Sequence, residues 1–600
     1  MSELKWWQKA VFYQIYPRSF ADGNGDGIGD FHGLIQKLDY LKELGIDALW
    51  ISPCYPSPQF DVGYDVADYT DINPEYGTLE DFRRFLKGAH ERGFRVILDF
   101  VPNHSSDQHP WFLASRSSRD NPKRDWYIWR DPRLGTTVPL SPSLAERGTA
   151  DDGNSPPNNW NAGFLSSAWT YDAQTGQYYY HYFFPQQPDL NWRNPELKEA
   201  MWNAVRFWLD LGVDGFRLDA IGTIFEDPDL PDQPVPMSLM NLYGESMAAK
   251  TEEERKQVGE KFQAMFQYQV ELPEVLDLMK ELRRVMDEYD DRMLVGENED
   301  IRYMGNGNDA LHMVFNFPLM NVEQLTPAHV RANQKKRLTE MPSGGWPCNT
   351  LNNHDSPRIY SRYRPEGEPP QRTPQRDAMS RVYLALMLTL RGTPFLYNGE
   401  EIGMIDLLLT DSAQFRDNLS GLVYAGLTGE FGLSAEFALP PAALFGRDKN
   451  RTPMQWDNAP NAGFSGTVVP SPLGVQTWLP MNPDYAQGIN VAEQEKDPAS
   501  LLNFYKRMLR FRKQTPALIA GDYTPLDEQA EDYLAFLRRD AESGQTCLVV
   551  LNFSEKAHTL NLDVPSSASR CLFSSRSRPS ETEDLSQLEI APFEIYIGEI

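Results

Sequence analysis

The chain has 600 residues, 41 % hydrophobic and 24 % charged, and sets 57 Lys and Arg against 85 Asp and Glu for a net charge of −28. At about 150 residues per domain this is several times one small module, and the composition excludes disordered and collagen-like chains. A surface so acidic repels phosphate backbones and anionic headgroups, so neither nucleic acid nor a membrane is an expected partner.

Eight short β-branched or aromatic runs recur, each followed by helical periodicity, the pattern of strands alternating with helices around a parallel sheet. They are VFYQIYP (11–17), IDALWIS (46–52), FRVILDF (94–100), VDGFRLD (213–219), RMLVGE (292–297), HMVFNF (312–317), PCNTLNN (347–353) and TPFLYNG (393–399). Between the first two, Leu34, Leu38, Leu41 and Leu44 mark one helix face ending before Gly45. Between the next two, Leu79, Phe82, Phe85 and Ala89 repeat the pattern.

The expected fold is therefore α/β, a closed (β/α)8 TIM barrel with its chemistry at the C-terminal ends of the strands. Residues 104–187, rich in Pro, Asn, Ser and Trp, read as a loop-rich subdomain inserted after the third strand. A long irregular stretch, about 403–500, follows the eighth strand. From 522 onward, alternating runs such as DYLAFLRR and TCLVVLNFS without intervening helices predict a C-terminal antiparallel β domain. The expected organisation is thus barrel over 1–103 and 188–521, inserted subdomain over 104–187 and β domain over 522–600.

The four cysteines, Cys54, Cys348, Cys547 and Cys571, lie far apart with no C-x-x-C pair. They suggest neither a disulfide scaffold nor a thiolate zinc site, and fit a reducing cytoplasm. The N-terminus lacks a basic start followed by a long apolar run, and VYLALMLTL (382–390) is flanked by Arg381 and Arg391, so neither signal peptide nor membrane span is expected.

Four polar clusters fall at predicted strand ends, where a barrel converges them: DFVPNH (99–104), GFRLD (215–219), GE (296–297) and NNHD (352–355). Hydrolysis of a glycosidic bond needs one carboxylic acid to protonate the leaving oxygen and a second carboxylate to attack or stabilise the anomeric carbon. Asp219, Glu297 and Asp355 offer three. Crowding three anions raises at least one pKa, as a general acid working near neutrality requires. Arg217, on the same strand face as Asp219, can hold that carboxylate ionised. His104 and His354 can donate to sugar hydroxyls. Glu299 is a rival to Glu297 for the acid.

The strings VFYQIYPRSF, GYDVADYTDINPEYGT, DFVPNHSS, QPDLNW with its leading Gln187, GFRLDA, VGEN, NNHDSPR and NRTPMQWDNAPNAGFS follow one another across nearly the whole chain. In number and order they resemble the α-amylase family, glycoside hydrolase family 13, and within it the α-glucosidase and oligo-1,6-glucosidase group. The resemblance implies a retaining mechanism with Asp219 as nucleophile, Glu297 as general acid/base, and Asp355 fixing sugar hydroxyls. It also implies a subsite for the non-reducing glucose lined by Asp65, His104, Arg217, His354 and Arg358. A pair between Asp65 and Arg358 would close the far end of the cleft and make the enzyme exo-acting on short α-glucosides. Ala220, directly after the nucleophile, favours maltose-like α-1,4 substrates over α-1,6, with sucrose as a further substrate.

In DGNGDGIGD, Asp22, Asn24, Asp26 and Asp30 with the Ile28 carbonyl present oxygen ligands of the kind a hard divalent cation takes, although Gly33 stands where an EF-hand has its bidentate Glu. Similar glucosidases use this string as a structural Ca2+ or Mg2+ site; no organic cofactor is expected. Monomer and homo-oligomer stay open. The alternatives are a glucosyl-transferring relative, such as a transglucosidase, sucrose isomerase or trehalose synthase, and a non-catalytic α-amylase-like module.

Overall fold

The structure, a computed structural model, describes residues 3–133, 155–363, 372–465, 476–578 and 581–600. Parts of the expected inserted subdomain (134–154) and of the stretch after the eighth strand (466–475) thus lie outside the described residues.

Eight strands form one parallel sheet: β1 (Phe12–Ile15), β2 (Ala48–Ile51), β3 (Arg95–Phe100), β4 (Gly215–Leu218), β5 (Met293–Gly296), β6 (Met313–Val314), β7 (Cys348–Thr350) and β8 (Thr393–Tyr397). Each falls within its predicted run. Their order, β7-β8-β1-β2-β3-β4-β5-β6, is that of a barrel cut open at one seam. Across that seam the Asn316 amide donates to Asn349 Oδ1 at 3.3 Å.

Every strand residue but Arg95 is buried, as a parallel sheet covered on both faces requires. Alternation sorts them. Phe12, Ala48, Trp50, Ile97, Met293, Val295, Met313, Cys348 and Phe395 fill the barrel interior, whereas Tyr13, Leu49, Val96, Leu98 and Leu294 face the helices. Phe12 stacks on Phe395 with centroids 4.3 Å apart. A Cβ on Gly215 would meet the Met293 carbonyl oxygen at 2.2 Å, so only glycine lets β4 lie this close to β5.

The leucine face between β1 and β2 is split over α1 (Phe31–Gln36) and α2 (Leu38–Leu44), which meet at Lys37 and end on Gly45 at φ 104°. The next helix, α3 (Leu79–Glu91), opens with a Thr78–Asp81 capping box and buries Phe82, Phe85, Leu86 and Ala89.

After β3 the chain is less irregular than its composition suggests. It forms a helix, Pro110–Ser117, and an antiparallel sheet of Trp129–Arg130, Gln177–Tyr180 and Trp169–Asp172 over a small core of Trp160, Trp169, Tyr178 and Tyr180. Beyond β4 comes α4 (Leu239–Ala248), and beyond β8 a helical hairpin of α5 (Asn418–Gly429) and α6 (Ala435–Phe445) stands where irregular structure was expected. Pro440 and Pro441 inside α6 are what disguised it.

From Asp522 a six-stranded antiparallel sheet follows, as the alternating runs predict. One face (Leu534, Phe536, Val549, Leu551, Ile597) joins the main core, while the other (Ala535, Leu548, Val550, Tyr596) packs on a core of its own. No helix among the described residues is long and apolar enough to cross a membrane.

Candidate active site

The polar strand ends converge on one guanidinium. Arg217, on β4 with its side chain 1 % exposed, donates from Nη1 to Asp99 Oδ1 at 2.5 Å and to Asp219 Oδ1 at 2.7 Å, and its Nη2 lies 2.7 Å from Glu297 Oε1. Asp99 is the last residue but one of β3, Asp219 follows β4 directly, and Glu297 follows β5 directly. The barrel register thus brings three carboxylates to one cation. The second oxygen of Glu297 accepts from the Ala220 amide at 2.9 Å. Ala220 itself sits at φ 44°, a left-handed conformation that a β-branched residue tolerates poorly.

Exposure sorts their work. The side chain of Asp99 is fully buried, whereas those of Asp219, Glu297 and Asp355 are 10 %, 22 % and 31 % exposed, so these three open onto the cleft. Burial pushes Asp99 up to about 7 against the pull of Arg217. Burial also raises Asp219, Arg217 opposing and Glu297 and Asp99 adding repulsion. Asp99 and Asp219, sharing one cation, titrate together and keep a proton to higher pH than an isolated carboxyl would. Glu299, by contrast, is exposed and does not reach Arg217; its carbonyl accepts from Arg337 at 2.6 Å.

Asp355, beyond β7, has the opposite environment. Although burial raises its pKa, His354 at 3.1 Å, Arg451 at 2.6 Å and Arg447 at 3.6 Å hold it well below the usual carboxylate range. His354 is buried and therefore neutral. The Gln14 amide donates to its Nδ1 at 2.7 Å, an assignment that leaves Nε2–H facing Asp355 and the Tyr64 hydroxyl. The Tyr64 ring stacks on His354, with centroids 5.4 Å apart, and its hydroxyl also donates to Asp99.

The expected pair between Asp65 and Arg358 is not formed. Asp65 is buried and turned into its own loop, where it accepts from the Ser57 hydroxyl and from the amides of Phe60 and Asp61. Arg358 is buried beneath the site, donating to the Asn398 carbonyl at 2.8 Å and lying over the Tyr397 ring. Neither lines the cleft.

A different pair closes the far end. Arg447 Nη2 donates to Asp61 Oδ1 at 2.6 Å and to Asp417 Oδ1 at 2.8 Å, while its Nε reaches Asp417 Oδ2 at 2.9 Å. Gln187 donates to the other oxygen of Asp61 at 3.1 Å, and its amide lies 2.9 Å from His104 Nε2. His104, predicted at this site, is therefore in it, held neutral by burial at about 3. Sequence reasoning missed Asp61, Tyr64, Asp99, Arg447 and Arg451 as site residues. Arg451 stands inside the string NRTPMQWD, and Asp61 and Tyr64 stand beside Asp65.

Directly after Glu297 in the chain, Asn298, Asp300 and Arg302 line a polar cavity of about 390 Å3 together with Glu271 and Lys336 among others. Asn298 donates to Glu271 Oε1 at 2.7 Å and Tyr303 to Oε2 at 2.6 Å. The Glu271 amide donates to the Gly222 carbonyl at 2.7 Å, two residues beyond Ala220.

In the glycine-rich loop the side chains meet their own backbone. Asp22 accepts from the amides of Asn24, Gly25 and Gly27, Asp26 from Ile28, and Asp30 from Gly23, Asn24 and Gly33. No three His, Cys, Asp or Glu side chains among the described residues converge as a metal-holding group. The donor chemistry still suits a hard cation. Asp22 and Asp30, 2 % and 3 % exposed, repel one another, and among the described residues no Lys or Arg pairs with either.

Residues 14–521 match the model of the α-amylase catalytic domain, and 523–597 that of the maltogenic amylase C-terminal domain. The chain is 37 % identical to an oligo-1,6-glucosidase of Parageobacillus thermoglucosidasius, over 100 % of this chain and 99 % of that one. It is 36 % identical to an α-glucosidase of Candida albicans, over 92 % and 93 %. Among solved structures, the trehalulose synthase of Pseudomonas mesoacidophila MX-45 superposes with a TM-score of 0.82 at 36 % identity, covering both chains fully.

Proposed function

The chain belongs to the α-amylase family of glycoside hydrolases, and on that premise we propose a retaining, exo-acting α-glucosidase that releases terminal glucose from short α-glucosides through a covalent glucosyl-enzyme. The observation that carries this reading is the Arg217 fork, which holds Asp219 and Glu297 side by side at the open mouth of the barrel. Asp219 attacks the anomeric carbon as the bond to the leaving oxygen breaks and Glu297 protonates that oxygen. A water that gives its proton to Glu297 then attacks the same carbon and frees Asp219. Asp355, kept ionised by its two arginines, accepts from sugar hydroxyls and faces the positive charge that develops on the ring.

The ring of Asp61, Arg447, Gln187 and His104 supports exo action, since it walls off the end of the cleft that holds the non-reducing sugar. The small Ala220 favours α-1,4 bonds, and the polar cavity around Glu271 and Asn298 is where the leaving sugar would rest. For the glycine-rich loop we propose a structural Ca2+ or Mg2+ held by Asp22, Asn24, Asp26, Asp30 and the Ile28 carbonyl. Four unpaired thiols favour the cytoplasm.

A second reading, glucosyl transfer to a sugar, has one observation in its favour: the likeness to a trehalulose synthase along its whole length. One experiment separates the two. Incubated singly with maltose, isomaltose and sucrose, the protein should release glucose, first as the α-anomer by NMR; an isomer of sucrose as the main product would mean transfer. Asp219→Asn should abolish turnover with the fold intact, and retained hydrolysis would refute the nucleophile. Glu297→Gln should hurt poor leaving groups most and spare activated aryl glucosides in the first step, because those need little protonation.

A further inference from the structure

We propose that the α5–α6 hairpin is the surface through which two copies of this chain associate, in a dimer that abuts the closed end of the active site. Residues 418–445 carry only two charged side chains, Glu430 and Glu436, in a chain that is 24 % charged. Among the described residues, most of the exposed large hydrophobic side chains lie here: Phe431, Leu433, Phe437, Leu444 and Phe445. The most exposed of all, Met247 at 77 %, stands on the neighbouring α4.

Three of them, Phe437, Leu444 and Phe445, stand on one helix. Phe437 and Leu444, seven residues apart, share a face of α6, with Pro440 and Pro441 between them. The opposite face packs inward through Ala438, Ala442 and Ala443. The Tyr243 ring of α4 lies 5.3 Å from that of Phe445, and Met247 follows one turn beyond Tyr243. From the exposures, the six side chains present on the order of 600 Å2. That equals the upper end of the ~300–600 Å2 that monomers tolerate, and with the two prolines it approaches the ~800 Å2 per partner of a standard interface.

A second copy fits this patch better than a bilayer or an unrelated chain. The net charge of −28 repels anionic membranes, and at this stretch two such molecules approach with only Glu430 and Glu436 of each copy to keep apart. The stripe is self-complementary. Phe437 and Leu444 stand about 10 Å apart along α6, so a two-fold axis between them seats each against the other residue of the copy. The hairpin starts at Asp417 and ends at Arg447, which pair with each other and anchor Asp61. Covering the hairpin therefore braces the wall of the sugar pocket.

Size-exclusion chromatography with light scattering at micromolar concentration tests this. Wild type should run as a dimer. Phe437→Glu combined with Leu444→Glu should weaken association roughly a hundredfold or more, giving a monomer with an unchanged circular dichroism spectrum. Because both side chains face solvent in the single chain, their replacement leaves its core intact, and the milder Phe437→Ser should shift the equilibrium the same way. A wild type that is monomeric throughout, or a doubly charged variant that stays dimeric, overturns the proposal. So does a monomeric wild type that floats with phosphatidylcholine vesicles, which would give the patch to a membrane.

Discussion

Asp99→Asn removes one of the three carboxylates around Arg217 while keeping the side chain's shape. Asp99 Oδ1 and Asp219 Oδ1 accept from the same Nη1 at 2.5 and 2.7 Å, which puts them at most about 5 Å apart; at an effective dielectric of ~20, two unit charges so placed repel by ~3 kcal/mol, or ~2 pH units. Asp99 sits at about 7 and is only partly ionised near neutrality, so the expected shift is nearer to about one unit. Its sign is fixed, because removing the negative charge of Asp99 makes the Asp219 proton easier to lose. The limb of the kcat/KM profile that reports ionisation of Asp219 should move to lower pH, measured with an aryl α-glucoside. Stability gives an independent reading. A carboxyl whose folded pKa is raised favours the folded state below its unfolded pKa, and that contribution is lost as pH rises from about 4 towards 7. The melting temperature of the variant should therefore gain on wild type across that window. A limb that stays put or moves to higher pH, in a variant with a native circular dichroism spectrum, would refute the claim that Asp99 and Asp219 titrate together.

Arg447→Leu leaves Asp61 and Asp417 buried without their cation, which should cost about 3–5 kcal/mol of stability; thermal denaturation should show a clear fall in Tm, and KM for maltose should rise as the pocket wall loosens. Glu271→Gln, which changes a hydrogen-bonded wall of the cavity beyond Glu297, should alter the ratio of kcat/KM for maltose over isomaltose, within the ~10–200-fold range open to single pocket contacts, while leaving an aryl glucoside nearly unaffected. Chelation with EGTA should lower Tm and added Ca2+ restore it, and Asp22→Asn should abolish the response. A melting curve indifferent to both would mean that the loop is held by its own amides alone.

The barrel was legible because a parallel sheet buried on both faces leaves continuous apolar runs, and the helices between strands leave a 3.6-residue period. Asp219 and Glu297 were legible for a related reason. A polar residue that directly ends such a run can only stand at the rim of the barrel, so its neighbours in space follow from the strand order without knowledge of any loop. Helix α6 was hidden because two adjacent prolines read as a break, although Ala438, Ala442 and Ala443 keep its inner face in register.

The closing pair was misread for the converse reason. Asp61 and Asp65 stand four residues apart on one loop, and nothing in their spacing says which carboxylate faces the cleft. The choice is made by hydrogen bonds: the Asp61 and Phe60 amides and the Ser57 hydroxyl turn Asp65 inward, and that turn aims Asp61 outward. Its partner comes from 386 residues further along the chain, at the end of the hairpin that Asp417 begins. Arg358, close in sequence to Asp355, lies instead under β8 on the Asn398 carbonyl. The chemistry of the pocket is therefore written at strand ends and its closure in loops, so Asp61→Asn should raise KM for maltose, whereas Asp65→Asn, changing a carboxylate turned into its own loop, should act on stability rather than on KM.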